Sequence, residues 1–484
     1  MKITNILPDI KFTKNSSIQI TGICDDTRIV KKGDAFFIIE RKNFDIFSAI
    51  KQLEDKVSVF VADIKDKKKV LPLINKKPII FVKNIKEHFF KAVDLYYNFN
   101  TYDFNFIGVT GTNGKTTVTT LIYHILKNLR YKTALLGTIK YIIGNKEYPP
   151  LYTTPDYLLL RKILSEAKKK GVEYVVMEVS SHALVQDRVK GIQFLRCVFT
   201  NLTRDHLDYH KTMKDYFIAK CKLFIENKNA LAIINTDDFY GKKIAKLVDW
   251  KLTYCIENKA DIVAKNISLS TNKTEFDFVY KDTTFHIKTH LLGRHNVYNI
   301  LAAVGCVISY GFSIDKIISL VASFKGVEGR LEQVVDDIFV DYAHTPDALK
   351  KVILTLRQIG YEEVICVFGC GGDRDKGKRP LMGRVADKYA DFTFITSDNP
   401  RSENPILICK QIEKGFSGKN YKITIDRKCA IKEAINLWKK KFKKGNKCCI
   451  LVAGKGHENC QIIKDKKIPF KDSKIIRTIL KNEF

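Results

Sequence analysis

Acidic residues are what this sequence is short of. Its 484 residues carry 53 Asp and Glu against 83 Lys and Arg, a formal net charge of +30. A positive field of that size favours polyanionic partners: nucleic acid, an anionic membrane surface, or phosphorylated small molecules. The lysines are scattered in ones, twos and threes (67–69, 168–170, 439–441) and are not interleaved with aromatics. General lysine enrichment therefore reads ahead of nucleic-acid binding, and no nucleic-acid partner is expected. No apolar run reaches the ~18 residues that a membrane-spanning helix needs, so no membrane insertion is expected. The stretch 1–12 lacks the apolar core of a signal peptide. The twelve cysteines include no Cys-x-x-Cys pair and no Cys/His zinc spacing. Scattered cysteines fit a reducing compartment, and a cytoplasmic location is expected. Internal repeats and long low-complexity tracts are missing too.

What is present is an alternation. At about 100–200 residues per domain, the length allows two to four domains, each able to bury an ordinary core. Residues 1–103 read as short strands and helices, with strand candidates at 57–61 and 78–82, and 97–103 reads as a linker. From 104 onward, apolar strands alternate with amphipathic helices, the pattern of a parallel α/β sheet. A second such series starts near Gly329. Seven strand candidates (106–109, 174–177, 197–199, 338–340, 364–368, 392–395 and 449–452) each run into a polar motif. Ligands of open α/β sheets sit beyond the carboxyl ends of the strands, so these seven motifs are the candidate sites.

The sharpest motif is Gly111-Thr-Asn-Gly-Lys-Thr-Thr117, between a strand and a predicted helix over 118–129. Glycines at Gly111 and Gly114 let backbone N–H groups of Thr112, Asn113 and their neighbours close around phosphate oxygens. Lys115 supplies charge to the β and γ phosphates, and Thr116, followed by Thr117, can place a hydroxyl on Mg²⁺ at a helix N-terminus. The strict phosphate-loop spacing is not met, because Val109 stands five residues before Gly114. A phosphate loop identifies a nucleotide but not a reaction: a motor, a kinase, a GTPase, a nucleic-acid ATPase and a ligase all remain open at this point. Glu178 ends a strand and is suited to a hard cation. The segment 201–210 gathers two histidines, two aspartates and an arginine, and Lys220 follows on a helix predicted to begin near Met213.

Together with Gly293-Arg-His-Asn-Val-Tyr-Asn299, Gly329-Arg330, the motif 341–349, the glycine-rich 369–383, Asp398-Asn-Pro-Arg401 and Ala453-Gly-Lys-Gly-His-Glu458, these motifs resemble the ordered set of the Mur ligase family, in the form of its MurE-type tripeptide synthetases. The resemblance covers roughly 104–475. It implies an α/β fold of three domains: a small N-terminal α/β domain for the uridine nucleotide (1–103), a central phosphate-loop ATPase with a mainly parallel sheet (104–328), and a C-terminal Rossmann-like domain (329–484) that binds the amino acid. It implies ATP-dependent phosphorylation of the D-Glu side chain of UDP-MurNAc-L-Ala-D-Glu, then attack on the acyl phosphate by an incoming amine. Lys115, Glu178, His206, Lys220 and His344 take catalytic positions. Thr116 and Glu178 hold one Mg²⁺, and His206 and Lys220 a second, with Lys220 carbamylated to an N6-carboxylysine. Asn296, Arg330 and Asp341 match ATP contacts. Thr27, Thr153, Thr154, Ser180 and Arg188 match contacts to the UDP-MurNAc-peptide. His344 also has a plainer reading, as a group that orients the Asp341 loop.

The family form of 398–401 implies that meso-diaminopimelate is the amino acid added. A guanidinium at Arg401 pairs with the distal carboxylate that diaminopimelate has and lysine lacks. Arg374 matches a second carboxylate contact, Glu458 the acceptor for the distal ammonium, and Asp398, Asn399, Pro400 and Gly454 line the pocket. The plainer reading pairs Arg401 with an internal acid such as Glu403. Asp26-Thr-Arg28 resembles the uridine motif, but 41–45 departs from the family pattern. A monomer is expected. The rivals are an L-lysine-adding relative, a folylpolyglutamate-type ligase, a basic nucleic-acid-binding ATPase and a silent homologue that only binds.

Overall fold

The structure, a computed structural model, describes residues 1–11, 16–40, 44–442 and 447–481, without the side chains of Asp208 and Phe442. The departure at 41–45 is thus described only in part, 41–43 lying outside. Contacts divide the chain into two compact units, 1–107 with 131–195, and 108–130 with 196–484.

In the first unit, strands Gly22–Cys24, Asp34–Phe37, Val57–Asp63 and Ile79–Val82 form a four-stranded parallel sheet in that order. Successive side chains of a strand face opposite sides. Phe37 accordingly enters the cluster holding Phe89 and Tyr157, while Phe36 enters another with Ile46 and Phe60. The first cluster joins helix Ile85–Tyr96 to helix Tyr157–Lys169, so the N-terminal sheet and 131–195 share a core. Strand Thr133–Leu136 runs parallel to Tyr174–Glu178 and antiparallel to Tyr141–Ile143. The expected linker ends in the 3-10 turn Thr101–Asp103.

In the second unit, strands Phe194–Phe199, Leu231–Asn235, Lys251–Cys255 and Ile262–Leu269 are parallel neighbours. An antiparallel meander, Thr274–Tyr280 and Thr283–Thr289, extends them. A six-stranded sheet follows in the order Glu332–Val335, Ile338–Asp341, Cys448–Ala453, Glu363–Phe368, Phe392–Ile395, Tyr421–Ile423. Only its first pair is antiparallel. The α/β fold class is therefore observed. All seven strand candidates are strands, and each ends at its polar motif. The phosphate-loop helix starts at Lys115, three residues before the expected 118. No helix among the described residues is long and apolar enough to cross a membrane. All twelve cysteines are free; ten are buried, Cys460 is half-buried and Cys429 is exposed.

Candidate active site

Strand Asn105–Thr110 delivers the phosphate loop, and helix Lys115–Asn128 leaves it. Gly114 has φ +86°, and a Cβ there would lie 2.3 Å from Asn299 Oδ1; a Cβ on Gly111 would lie 1.9 Å from Thr200 Oγ1. Glycine is thus demanded by both conformation and close approach. The segment after strand Phe194–Phe199 laces the loop in place. Thr200 Oγ1 donates to Asn113 O (2.6 Å), Asn113 N to Asn201 Oδ1 (3.0 Å), and Thr203 N to Thr112 Oγ1 (3.0 Å). Thr116 and Thr117 are buried at the helix start.

Two lysines converge on one carbonyl. Lys115 Nζ and Lys220 Nζ each lie 2.8 Å from Gly111 O. Lys220 rides on helix Met213–Ile225, which Thr212 caps by accepting from Asp215 N. Its side chain is buried, and burial, then Lys115, drives its pKa well below the usual lysine value. Tyr216, one turn earlier on the same face, lies under Lys220 Nζ (4.8 Å to the ring). Its hydroxyl stands 3.2 Å from Thr112 Oγ1. The His206 ring meets the same tyrosine edge-on at 6.1 Å. His206 is half-exposed, at φ +53°, with Nε2 3.5 Å from Asp205. Tyr216 therefore joins the phosphate loop, Lys220 and His206. Sequence reading missed it, because a tyrosine in a helix carries no signal of its own.

A cavity of about 590 Å³ opens in the same unit, lined among others by Asn296, Arg330, Glu328, Lys471 and Arg477. Asn299 connects it to the loop: its amide donates to Asn296 Oδ1 (2.9 Å), and its own Oδ1 is the atom that crowds Gly114. Arg330 Nε is buried with no hydrogen-bond partner among the described residues. A polar cavity with an orphaned donor, tied to a phosphate loop, fits a nucleoside triphosphate. Asp341 accepts from Leu331 N (2.6 Å) and Ala343 N (2.7 Å). Burial raises its pKa, opposed by Arg330. The His344 ring bonds its own loop at Tyr342 O (2.8 Å), the geometry of its plainer reading.

At the ends of three strands of the six-stranded sheet, a second cluster forms. Arg401 Nη1 donates to Gly372 O (2.7 Å). Arg401 Nη1 and Arg374 Cγ lie 3.0 and 3.7 Å from the point where a Cβ on Gly371 would stand, so the two arginines flank that glycine. The plainer partner, Glu403, is engaged elsewhere: buried Arg379 takes both its oxygens at 2.9 Å. That pairing pulls the Glu403 carboxyl down to about 2. Asn399 Nδ2 donates to Glu458 Oε2 (2.8 Å), Asp398 Oδ1 accepts from Asn399 N (2.7 Å), and Pro400 O blocks any side chain on Gly372. Gly454, at φ +109°, lets its strand end pass Asp398. Hairpin Cys460–Ile463 and Lys466–Pro469 grips the main chain of Arg401, through Arg401 N to Ile462 O (3.1 Å) and Lys464 N to Arg401 O (2.8 Å). Burial raises the Tyr342 phenol, and Glu458, Arg330, Asp398 and Arg374 all act on it electrostatically, so the amino-acid cluster and Arg330 share its neighbourhood.

The first unit gathers a third group. Glu178 is buried, held by Thr138 N (2.8 Å) and Thr138 Oγ1 (3.1 Å). Thr138 Oγ1 also meets Thr153 Oγ1 at 3.1 Å. Thr154 Oγ1 donates to Glu178 O (2.8 Å) and accepts from Ser180 N (3.0 Å). Arg188 donates to Thr154 O (2.8 Å) and stacks on Tyr152 (4.7 Å). Thr153, Thr154, Glu178, Ser180 and Arg188 thus meet, with Thr138 as the member sequence reading missed. Thr27 sits half-buried in its turn between Asp26 and Arg28, which pair at 2.6 Å. Arg28 feels Tyr152 electrostatically.

Comparison with known proteins follows the same lines. Residues 109–307 match the Mur ligase middle domain, and 329–456 the Mur ligase glutamate ligase domain. A UDP-N-acetylmuramoyl-L-alanyl-D-glutamate–2,6-diaminopimelate ligase of Clostridium acetobutylicum is 40% identical, with all of both chains covered. One of Aquifex aeolicus is also 40% identical over 96% of this chain and 94% of its own. A solved structure of a ligase of that name superposes with a TM-score of 0.67 at 29% identity, covering 100% of this chain and 99% of the other. MurF ligase of Thermotoga maritima shares the fold at a TM-score of 0.62 and 19% identity, over 96% and 98% of the two chains. A phosphate loop laced to its neighbouring strand, a buried lysine beside it, and full-length likeness at this level together mean that the chain belongs to the Mur ligase family.

Proposed function

We propose that this protein is an ATP-dependent amide ligase that joins meso-diaminopimelate to the D-Glu residue of UDP-MurNAc-L-Ala-D-Glu, in the synthesis of peptidoglycan precursors. The observation that carries the choice of amino acid is the pocket holding both signs of charge. Arg374 and Arg401 flank Gly371, Glu458 stands with Asn399, and the acid that could have neutralised Arg401 is bound to Arg379. A distal amino-carboxylate head satisfies both signs, whereas the bare ammonium of lysine faces two guanidinium groups.

In this reading the γ-phosphoryl of ATP passes to a side-chain carboxylate oxygen of the D-Glu. The amine of diaminopimelate then forms the C–N bond, and phosphate leaves with that oxygen. Such a transfer is governed by positioning and charge neutralisation. Lys115 and the loop N–H groups hold the phosphates, while Asn296, Arg330 and Asp341 hold the nucleoside side. Mg²⁺, when bound, neutralises phosphate oxygens. The residues proposed as Mg²⁺ ligands are Thr116, Glu178, His206 and Lys220, shared between two ions. Lys220 suits that duty only as an oxygen ligand. Its burial beside Lys115 favours the neutral amine that carbamylation requires. Thr27, Thr153, Thr154, Ser180 and Arg188 are proposed to contact the nucleotide-peptide. We take the domain boundaries as 1–103, 104–328 and 329–484, and a monomer in the cytoplasm as the working form. Twelve free cysteines accord with a reducing compartment.

The test is phosphate release by the purified protein with ATP, Mg²⁺ and UDP-MurNAc-L-Ala-D-Glu, comparing meso-diaminopimelate with L-lysine. Release with diaminopimelate alone is expected. Release with lysine instead would keep the ligase and overturn the reading of Arg401. Release with neither would overturn both.

A further inference from the structure

Lys455 lies in the motif that ends strand Cys448–Ala453, and nothing above gives it a role. Its side chain is fully buried, while that of Glu458 is 31% exposed. An ammonium has three protons to satisfy, and Lys455 places them on Glu458 Oε2 (2.7 Å), Asn399 Oδ1 (2.9 Å) and Cys460 O (2.8 Å). These partners belong to three walls of the amino-acid pocket: the 454–458 turn, the 398–401 turn, and the hairpin that grips Arg401. Asn399 Nδ2 donates to the same Glu458 Oε2. Both bonds fall on Oε2, so the Glu458 carboxylate is pinned through that oxygen.

The charge balance follows. Before any substrate arrives, the pocket's carboxylate already has an ammonium upon it. A distal ammonium entering there meets a carboxylate whose charge is largely cancelled, with a second cation behind it, and gains little net attraction. A distal group that also carries a carboxylate gains from Arg401 and Arg374 what it does not gain from Glu458.

We propose that Lys455 is a positioning residue that sets amino-acid specificity: it orients Glu458 through Oε2 and offsets its charge, so that the pocket accepts a net-neutral amino-carboxylate head and rejects a bare ammonium. This rests on the ligase reading above.

The experiment measures kcat/KM for meso-diaminopimelate and for L-lysine in the wild-type protein and in Lys455→Met, Lys455→Gln and Lys455→Met/Glu458→Gln. Lys455→Met is expected to lower the diaminopimelate-to-lysine ratio by about tenfold, chiefly by improving L-lysine, because close charge pairs couple by an amount of that order or more. The KM for ATP should stay as it was. Lys455→Gln keeps a donor but no charge and should shift the ratio the same way. In the double variant the gain for L-lysine should vanish, since no carboxylate remains to be released. An unchanged ratio in both folded single variants, or a gain that survives in the double variant, overturns the assignment alone. A wild-type protein inactive with both amino acids overturns the ligase reading and this assignment with it.

Discussion

Lys220 shows how one side chain can be read from sequence as a position but not as a state. Its place on a helix after the 201–210 motif is visible in the sequence, and the resemblance supplies its role. What the sequence does not carry is the company it keeps: the Gly111 carbonyl, the Tyr216 ring and a second lysine. Lys220→Ala should lower turnover by about a hundredfold or more, the scale of losing one preorganised electrostatic group. Added short carboxylates should restore part of it, measured as phosphate release; failure of any carboxylate to rescue would count against the carbamate. Glu403 gives a prediction in pH. Its folded pKa, about 2, lies below its usual 4.5 because of Arg379. A depressed carboxyl stabilises the fold above the unfolded value, and that contribution is lost as pH falls through the folded one. Between about pH 4.5 and 2, Tm should therefore fall more steeply in the wild type than in Glu403→Gln. Tyr216, Thr138 and Lys455 were not legible as site residues, because each acts through distances between segments remote in sequence.

At the scale of elements, the buried strands were legible and the exposed ones were not. Runs such as 364–368 and 449–452 are uninterrupted apolar residues, the mark of a strand covered on both faces. The meander Thr274–Tyr280 and Thr283–Thr289 mixes Thr, Lys and Asp with its aromatics and reads as nothing in particular. The same holds for the hairpin after Cys460, whose lysines suggest a solvated loop. Yet that hairpin fixes Arg401, a non-glycine residue at φ +50°, and its Ile462 N–H donates to Asn399 Oδ1 (3.0 Å). Proline at 462 would remove that donor. Ile462→Pro should raise the KM for diaminopimelate by about three- to tenfold, the value of one hydrogen bond, and leave the KM for ATP as it was. Equal changes in both constants would mean that the hairpin supports the whole unit and not the amino-acid pocket.

Across the whole molecule, the +30 charge was the first feature visible and the least specific. Its expected consequence is kinetic. Anionic nucleotides are drawn in by the summed field, which salt screens over about 10 Å at 0.1 M and about 3 Å at 1 M. Rising ionic strength should lower kcat/KM for the UDP-linked substrate more than it lowers kcat. Tight, steeply salt-dependent binding of DNA or RNA would instead revive the nucleic-acid reading. The placement of the thiols also makes the molecule its own labelling standard. With ten of twelve cysteines buried, a thiol-directed dye should meet Cys429 first and Cys460 more slowly. Cys429 stands on the helix Arg427–Phe442, whereas the carbonyl of Cys460 is held by the lysine of the amino-acid pocket. The unmodified chain thus carries a fast reference position and a slow reporter beside its substrate, so occupancy could be followed by the ratio of two labelling rates without altering a residue.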